Sequence, residues 1–279
     1  MEITKPVTGI GTSMPEPERP QDPTGPLRRN AERVYGIWSV CAFATLSVLL
    51  CGPSIFLPGE SLRRRGVRRA ARLFFELTGL TPRVSGLSNI PDGPCIVVAN
   101  HASYLDGILM AGVLPPRFGF IIKREMTRIP LAHLLLRRIG SVFVERFDPR
   151  GSSRDALRLF RTAAGGRSLA FFPEGTFAGA PGVRPFRLGA FQTATRLGIP
   201  VVPVAIRGTR HVLPAGRWLP RPAQLRVHIT APIRPQGSDR EAALGLRDAA
   251  RSRIAEHTGE PALPAGAPDT PAEAAAVTR

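Results

Sequence analysis

The chain changes texture part-way along. From Tyr35 to Leu57 it holds no charged residue. Such a run rises roughly 34 Å as a helix, against about 30 Å for the hydrocarbon core of a bilayer. Gly52-Pro53 interrupts it, and a proline there predicts a helix break after about 17 residues, the lower edge of spanning length. Arg28, Arg29 and Arg33 precede the run, while Arg63, Arg64, Arg65, Arg68, Arg69 and Arg72 follow it. Arginine on both sides disfavours a simple crossing. The pattern predicts a helix that dips into the membrane and returns, or lies in the interface. Ser61 to Leu80 then reads as a second, basic and partly amphipathic helix ending Leu73-Phe74-Phe75-Glu76-Leu77. A surface anchor on anionic lipid fits it, with a core helix bearing a solvated basic face as the alternative.

From about Thr81 short apolar runs alternate with helical patterns. Strand-like runs at 94–99, 118–122, 141–145, 168–172, 201–206 and 225–229 are interleaved with helices near 104–114, 131–138, 152–163 and 188–197, and a last helix follows near 239–256. Alternation at this spacing predicts an α/β fold: a mostly parallel or mixed sheet flanked by helices, behind an N-terminal basic two-helix membrane-associated segment. The domains expected are a disordered tail at 1–27, the membrane-associated segment at 28–80, one α/β domain at 81–258 and a second frayed tail at 259–279. Both tails are rich in Pro, Gly, Ala or Thr and show no hydrophobic period.

The formal charge of +17 admits nucleic acid, an anionic lipid surface or an anionic substrate as partner. Lysine occurs only at Lys5 and Lys123, so 36 of the 38 basic residues are arginine. With abundant Ala, Pro and Gly, that bias reflects genomic base composition as much as chemistry. The arginines cluster beside the uncharged run, which suits lipid better than nucleic acid. Cys41, Cys51 and Cys95 are scattered, without metal-ligand spacing, and point to a reducing, cytoplasm-facing compartment.

The candidate chemistry sits at strand exits, where α/β folds assemble sites. Asn100-His101-Ala102-Ser103-Tyr104-Leu105-Asp106 places an imidazole and a carboxylate close together after one strand. A carboxylate holding one imidazole nitrogen lets the other take a proton from a hydroxyl. Ser103-x-x-Asp106 also has the form of a capping box, so the acid has a purely structural alternative. Phe172-Pro173-Glu174-Gly175-Thr176 ends a second strand and aims Glu174 at the sheet's edge; a strand-terminating turn is its bland reading. Gly140 to Arg146 forms a third strand with a charged exit, in which Phe143 facing the core would put Arg146 on the other face. Arg187 lies at a helix start, where a guanidinium meets an anion readily, and Lys123 ends a strand where it would meet a phosphate or water.

In combination these residues resemble the glycerolipid acyltransferase superfamily, whose type member acylates 1-acylglycerol-3-phosphate. Asn100, His101 and Asp106 match its N-H-x4-D motif, and Gly140, Phe143 and Arg146 match G-x-x-F-x-x-R. Residues 172–176 match F-P-E-G-T in full, and Val202-Pro203-Val204 matches the fourth motif, all in family order over roughly residues 81–210. The resemblance implies acyl transfer from acyl-CoA or acyl carrier protein to a lysolipid hydroxyl. His101 is then the base and Asp106 its orienter. Asn100, Lys123, Phe143, Arg146, Glu174, Gly175, Thr176 and Arg187 form the substrate-binding set. It implies no metal, no cofactor beyond the thioester co-substrate, no nucleic-acid partner, and a place on the cytoplasmic face of the cell membrane. Lysophosphatidate is the acceptor expected. Phe177 stands where members acting on phosphate-bearing acceptors often carry arginine, which keeps another lysolipid, such as a lyso-ornithine lipid or lysophospholipid, open. A non-catalytic lipid-surface protein is the reading from another class.

Overall fold

A computed structural model describes residues 26–144, 149–176 and 180–264. The N-terminal helix α1 (Pro26–Leu46) runs on through a π-helical turn (Ser47–Cys51) into the single turn α2 (Gly52–Ser54). The helix ends at Ser54, one residue past the break expected at Gly52-Pro53. Pro53 follows the π turn, whose wider bonding (Gly52 N to Ser47 O) makes room for the ring. The apolar helix counted this way covers Leu27–Ser54, 28 residues at a mean hydropathy of 1.9. It buries Gly36, Ser39, Ala42, Leu46 and Ser54, while Val34, Ile37, Trp38, Phe43, Val48 and Leu49 face outward.

Helix α3 (Glu60–Leu77) belongs to the core, through Ala70, Ala71, Phe74 and Phe75. Its arginines are occupied, which corrects the lipid-anchor reading for most of them. Arg63 Nε donates to Arg138 O and Arg64 Nε to Ile139 O, both at 2.7 Å, while Arg72 Nε donates to Gly112 O at 2.9 Å. These carbonyls close two other helices, which lack intrahelical donors there and carry the negative end of the helix dipole. Arg65 and Arg69 remain exposed.

The domain continues β1 (Arg83–Ser85), β2 (Ile96–Ala99), α4 (Leu105–Val113), β3 (Phe118–Lys123), α5 (Pro130–Arg138), β4 (Val142–Val144), α6 (Pro149–Ala164) and β5 (Ser168–Phe171). It ends α7 (Gly189–Leu197), β6 (Val201–Arg207), α8 (Thr209–Val212), β7 (Arg226–Ile229) and α9 (Arg240–Thr258). The seven strands lie in the order β1-β7-β6-β2-β5-β3-β4. Every pair is parallel except β6 with β7. This is the mixed, mostly parallel α/β sheet that the alternation predicts; the short, exposed β1 has no hydrophobic signal of its own.

Because side chains alternate along a strand, the sheet feeds two cores. Val97, Ala99, Val202, Val204 and Ile206 pack with Phe74, Leu109 and Met110 on one face. Ile96, Val98, Leu169, Phe171 and Val201 pack with Phe191, Leu246 and Ile254 on the other. With both faces covered, β2, β5 and β6 are buried almost throughout, so their runs read as continuously apolar. These central strands are parallel neighbours, and their carboxyl ends share one edge.

Of the tail expected at 259–279, residues 260–264 are tied to the domain, and 265–279 lie outside the described residues. Leu263 N donates to Val183 O and Val183 N to Pro261 O, both at 2.9 Å. Glu260 accepts from Gly182 N at 2.8 Å and pairs with Arg210 at 3.2 Å.

Candidate active site

The carboxyl ends of β2 and β5 carry the chemistry. Past Ala99 the chain turns sharply, and α4 begins at Leu105, so His101 and Asp106 fall on either side of one tight bend. Asp106 is fully buried, and its Oδ2 accepts three bonds: from His101 Nδ1 at 2.9 Å, Ala102 N at 2.6 Å and Ser103 N at 2.8 Å. The capping and dyad readings of Asp106 are thus both realised, by the same oxygen. Since a carboxylate only accepts, Nδ1 carries the hydrogen, and Nε2 is left as the ring nitrogen able to accept a proton. The imidazole stacks on Phe172 (centroids 4.4 Å apart, planes 21° apart), which fixes the ring plane across two strands. Its side chain is 18 % exposed, enough to be reached and little enough to be held.

Glu174 lies beneath this pair. It is 6 % exposed, and its two oxygens accept from the backbone of His101 (2.7 Å) and Arg184 (2.9 Å). Burial pushes its carboxyl up to about 7, against the lowering effect of those two N–H donors and with the nearby negative charges of Asp106 and Glu260 adding to the rise. In this geometry Glu174 clamps the histidine's backbone. Asn100 also acts on backbone. Its Nδ2 donates to Ile206 O at 3.0 Å and its Oδ1 accepts from Ile206 N at 2.7 Å, so β2 is pinned to β6 just before His101.

Gly175 adopts φ +84°, and a Cβ there would come within 2.7 Å of Arg187 Nε. Only glycine permits both the turn and the guanidinium above it. Arg187 is brought back by its own backbone, whose N–H donates to Pro173 O at 2.8 Å. Exposed Thr176 lies beside them. The central constellation is therefore His101, Asp106, Asn100, Glu174, Gly175, Thr176 and Arg187.

Lys123 and Phe143 are placed further out. Lys123 ends β3, with β5 between it and β2, and pairs with Glu125 at 2.9 Å. Phe143 is on the edge strand β4 and packs edge-to-face on His133 of α5 (5.2 Å), while Val142 and Val144 take the core-facing positions. Arg146 and Phe177 lie outside the described residues. Phe172 is legible as a motif residue but not as a stacking platform, and two contributors carry no signal in the sequence: the backbone N–H of Arg184, and Leu213, whose carbonyl accepts from Ser103 Oγ at 2.7 Å.

An imidazole held by a buried carboxylate, at the carboxyl edge of a mixed α/β sheet, is an arrangement able to activate a hydroxyl group. The family model for acyltransferases matches residues 81–207. The chloroplastic 1-acyl-sn-glycerol-3-phosphate acyltransferase of Brassica napus is 31% identical over 88% of this chain and 72% of its own length. A Pseudomonas aeruginosa enzyme of the same name is 26% identical over 81% of this chain and 89% of its own. The crystal structure of the 1-acyl-sn-glycerophosphate acyltransferase PlsC from Thermotoga maritima superimposes with a TM-score of 0.66 at 26% identity, covering 81% of this chain and 97% of that one. The chain belongs to the glycerolipid acyltransferase superfamily and is an O-acyltransferase.

Proposed function

We propose that the enzyme transfers a fatty acyl group from a thioester, acyl-CoA or acyl carrier protein, to the free hydroxyl of lysophosphatidate, giving phosphatidate at the cytoplasmic face of a membrane. The observation that carries this reading is the His101–Asp106 pair, set beside a guanidinium that glycine alone admits. The hydroxyl proton passes to His101 Nε2 as the oxygen attacks the thioester carbonyl. Asp106 stabilises the resulting imidazolium. When the tetrahedral intermediate collapses, the C–S bond breaks and the imidazolium returns the proton to the departing thiolate. Arg187 offers a bidentate partner to the acceptor's phosphate. The exposed apolar face of α1 supports membrane attachment.

The same mechanism with another lysolipid acceptor is favoured by Phe177, the position at which the resembled enzymes often add a second phosphate-binding arginine. Acyl transfer by membranes containing the protein, with both donors and a panel of lysolipids, separates these readings. His101→Ala is expected to lose at least about 10²-fold in rate. Near-wild-type turnover in that variant would sink the mechanism, and product from a different lysolipid alone would change the acceptor.

A further inference from the structure

Between α8 and β7 the chain forms a loop whose Trp218 is 89 % exposed, more than any other large apolar side chain among the described residues. A lone exposed aromatic is ordinary on a soluble surface. This one has neighbours that place it. Leu219, next in sequence, lies against α1 at Gly36, where a Cβ would approach Leu219 Cβ to 2.8 Å and Pro220 O to 3.1 Å. Arg221 Nε pairs with Glu32 of α1 at 3.3 Å. The loop is closed at its base by Arg221 N donating to Val212 O at 2.8 Å.

These contacts fix the level of Trp218 along α1. The helix is polar through Arg28, Arg29, Glu32 and Arg33, and its uncharged run follows at once. Gly36 lies about 4–5 Å of helix rise beyond Arg33. If α1 enters lipid, this is the boundary between head groups and acyl chains, where tryptophan is most favourably placed. Arg217 precedes Trp218 in sequence, and a guanidinium at this level suits the phosphates of that layer.

We propose that the Leu213–Arg221 loop is a second membrane foot, whose occupant is the lipid surface itself. Trp218 inserts its indole beside α1, continuing the apolar face of that helix onto the catalytic domain. The inference rests on the membrane reading of α1. It adds a functional consequence: because Leu213 O accepts from Ser103 Oγ, the foot is bonded to the turn that carries His101, and the base is held at a set height above the leaflet.

The chain has two tryptophans, Trp38 on α1 and Trp218, so each can be observed alone. The full-length protein is reconstituted into vesicles of phosphatidylcholine and phosphatidylglycerol with plain or dibrominated acyl chains, as the Trp38→Phe and Trp218→Phe variants. The expected result is loss of emission by Trp218 on bromination, with protection from aqueous acrylamide, and the same loss by Trp38. Quenching of Trp38 with undiminished Trp218 emission overturns the foot while leaving α1 in the membrane, whether acrylamide reaches Trp218 (water) or not (a protein contact). Quenching of Trp218 alone overturns the membrane reading of α1 and, with it, the placing of the foot as a second contact beside that helix. Quenching of neither overturns both.

Discussion

Glu174 holds the histidine's backbone with a carboxylate that burial pushes up to about 7 from an ordinary 4.5. A raised folded-state value means that the native protein binds the proton more tightly than the unfolded chain. The associated stability is fully present below about pH 4.5 and is lost as pH rises through 7, amounting to about 3 kcal/mol. Glu174→Gln removes the titration and places an amide N–H against one of two backbone donors. The melting temperature of the variant minus that of the wild type should therefore rise between pH 5 and pH 8; a flat difference would refute the assignment. Part of this residue-scale picture is legible in sequence. His101, Asp106 and Glu174 declare themselves by type and strand-end position. Asn100 looks like a ligand-binding amide, yet it spends its side chain on Ile206, because the groups competing for that amide lie 106 residues away.

Helices show where local pattern misleads. The arginine-rich face of α3 has the composition of a lipid anchor, and nothing local distinguishes lipid phosphates from the carbonyls that end neighbouring helices. Packing against the domain decides it. Arg64 is a clear case: its guanidinium donates to Ile139 O and to Arg117 O (3.2 Å) and pairs with Glu60 at 2.9 Å, with 10 % of the side chain exposed. Arg64→Ala leaves those carbonyls unpaired and should cost about 2–4 kcal/mol. Thermal unfolding of the purified variant should show a drop of several degrees, and Arg65→Ala, from the exposed side of the same helix, should show none. Equal effects from the two variants would argue against capping. α1 follows its local pattern more closely: a π turn accommodates Pro53, and the helix ends at Ser54, one residue beyond it.

At the scale of the whole molecule, the sheet order brings distant segments to one edge. The C-terminal strip shows the consequence: a Pro- and Ala-rich tail reads as frayed, yet Glu260 and Leu263 close the chain around Gly182 and Val183, just before the segment that carries Arg184 and Arg187. Glu260→Ala should raise amide exchange at Gly182, Val183 and Arg184 while leaving β2 and β5 unchanged, measured by hydrogen–deuterium exchange. Uniform protection across these segments would show that the strip stands without the Arg210 pair.

The amino-acid order by itself determines the α/β class, the strand ends that bear chemistry and the motif residues of an acyltransferase. Those properties follow from hydrophobic period, turn residues and side-chain type, all of which act within a few residues. The tertiary structure alone decides that one oxygen of Asp106 serves both the histidine and the helix start, that α3 caps its neighbours, and that Leu219 and Arg221 meet α1. Each depends on which carbonyl, ring or helix arrives opposite a given side chain. That is set by the parallel crossovers and strand order of the sheet, which no local pattern encodes.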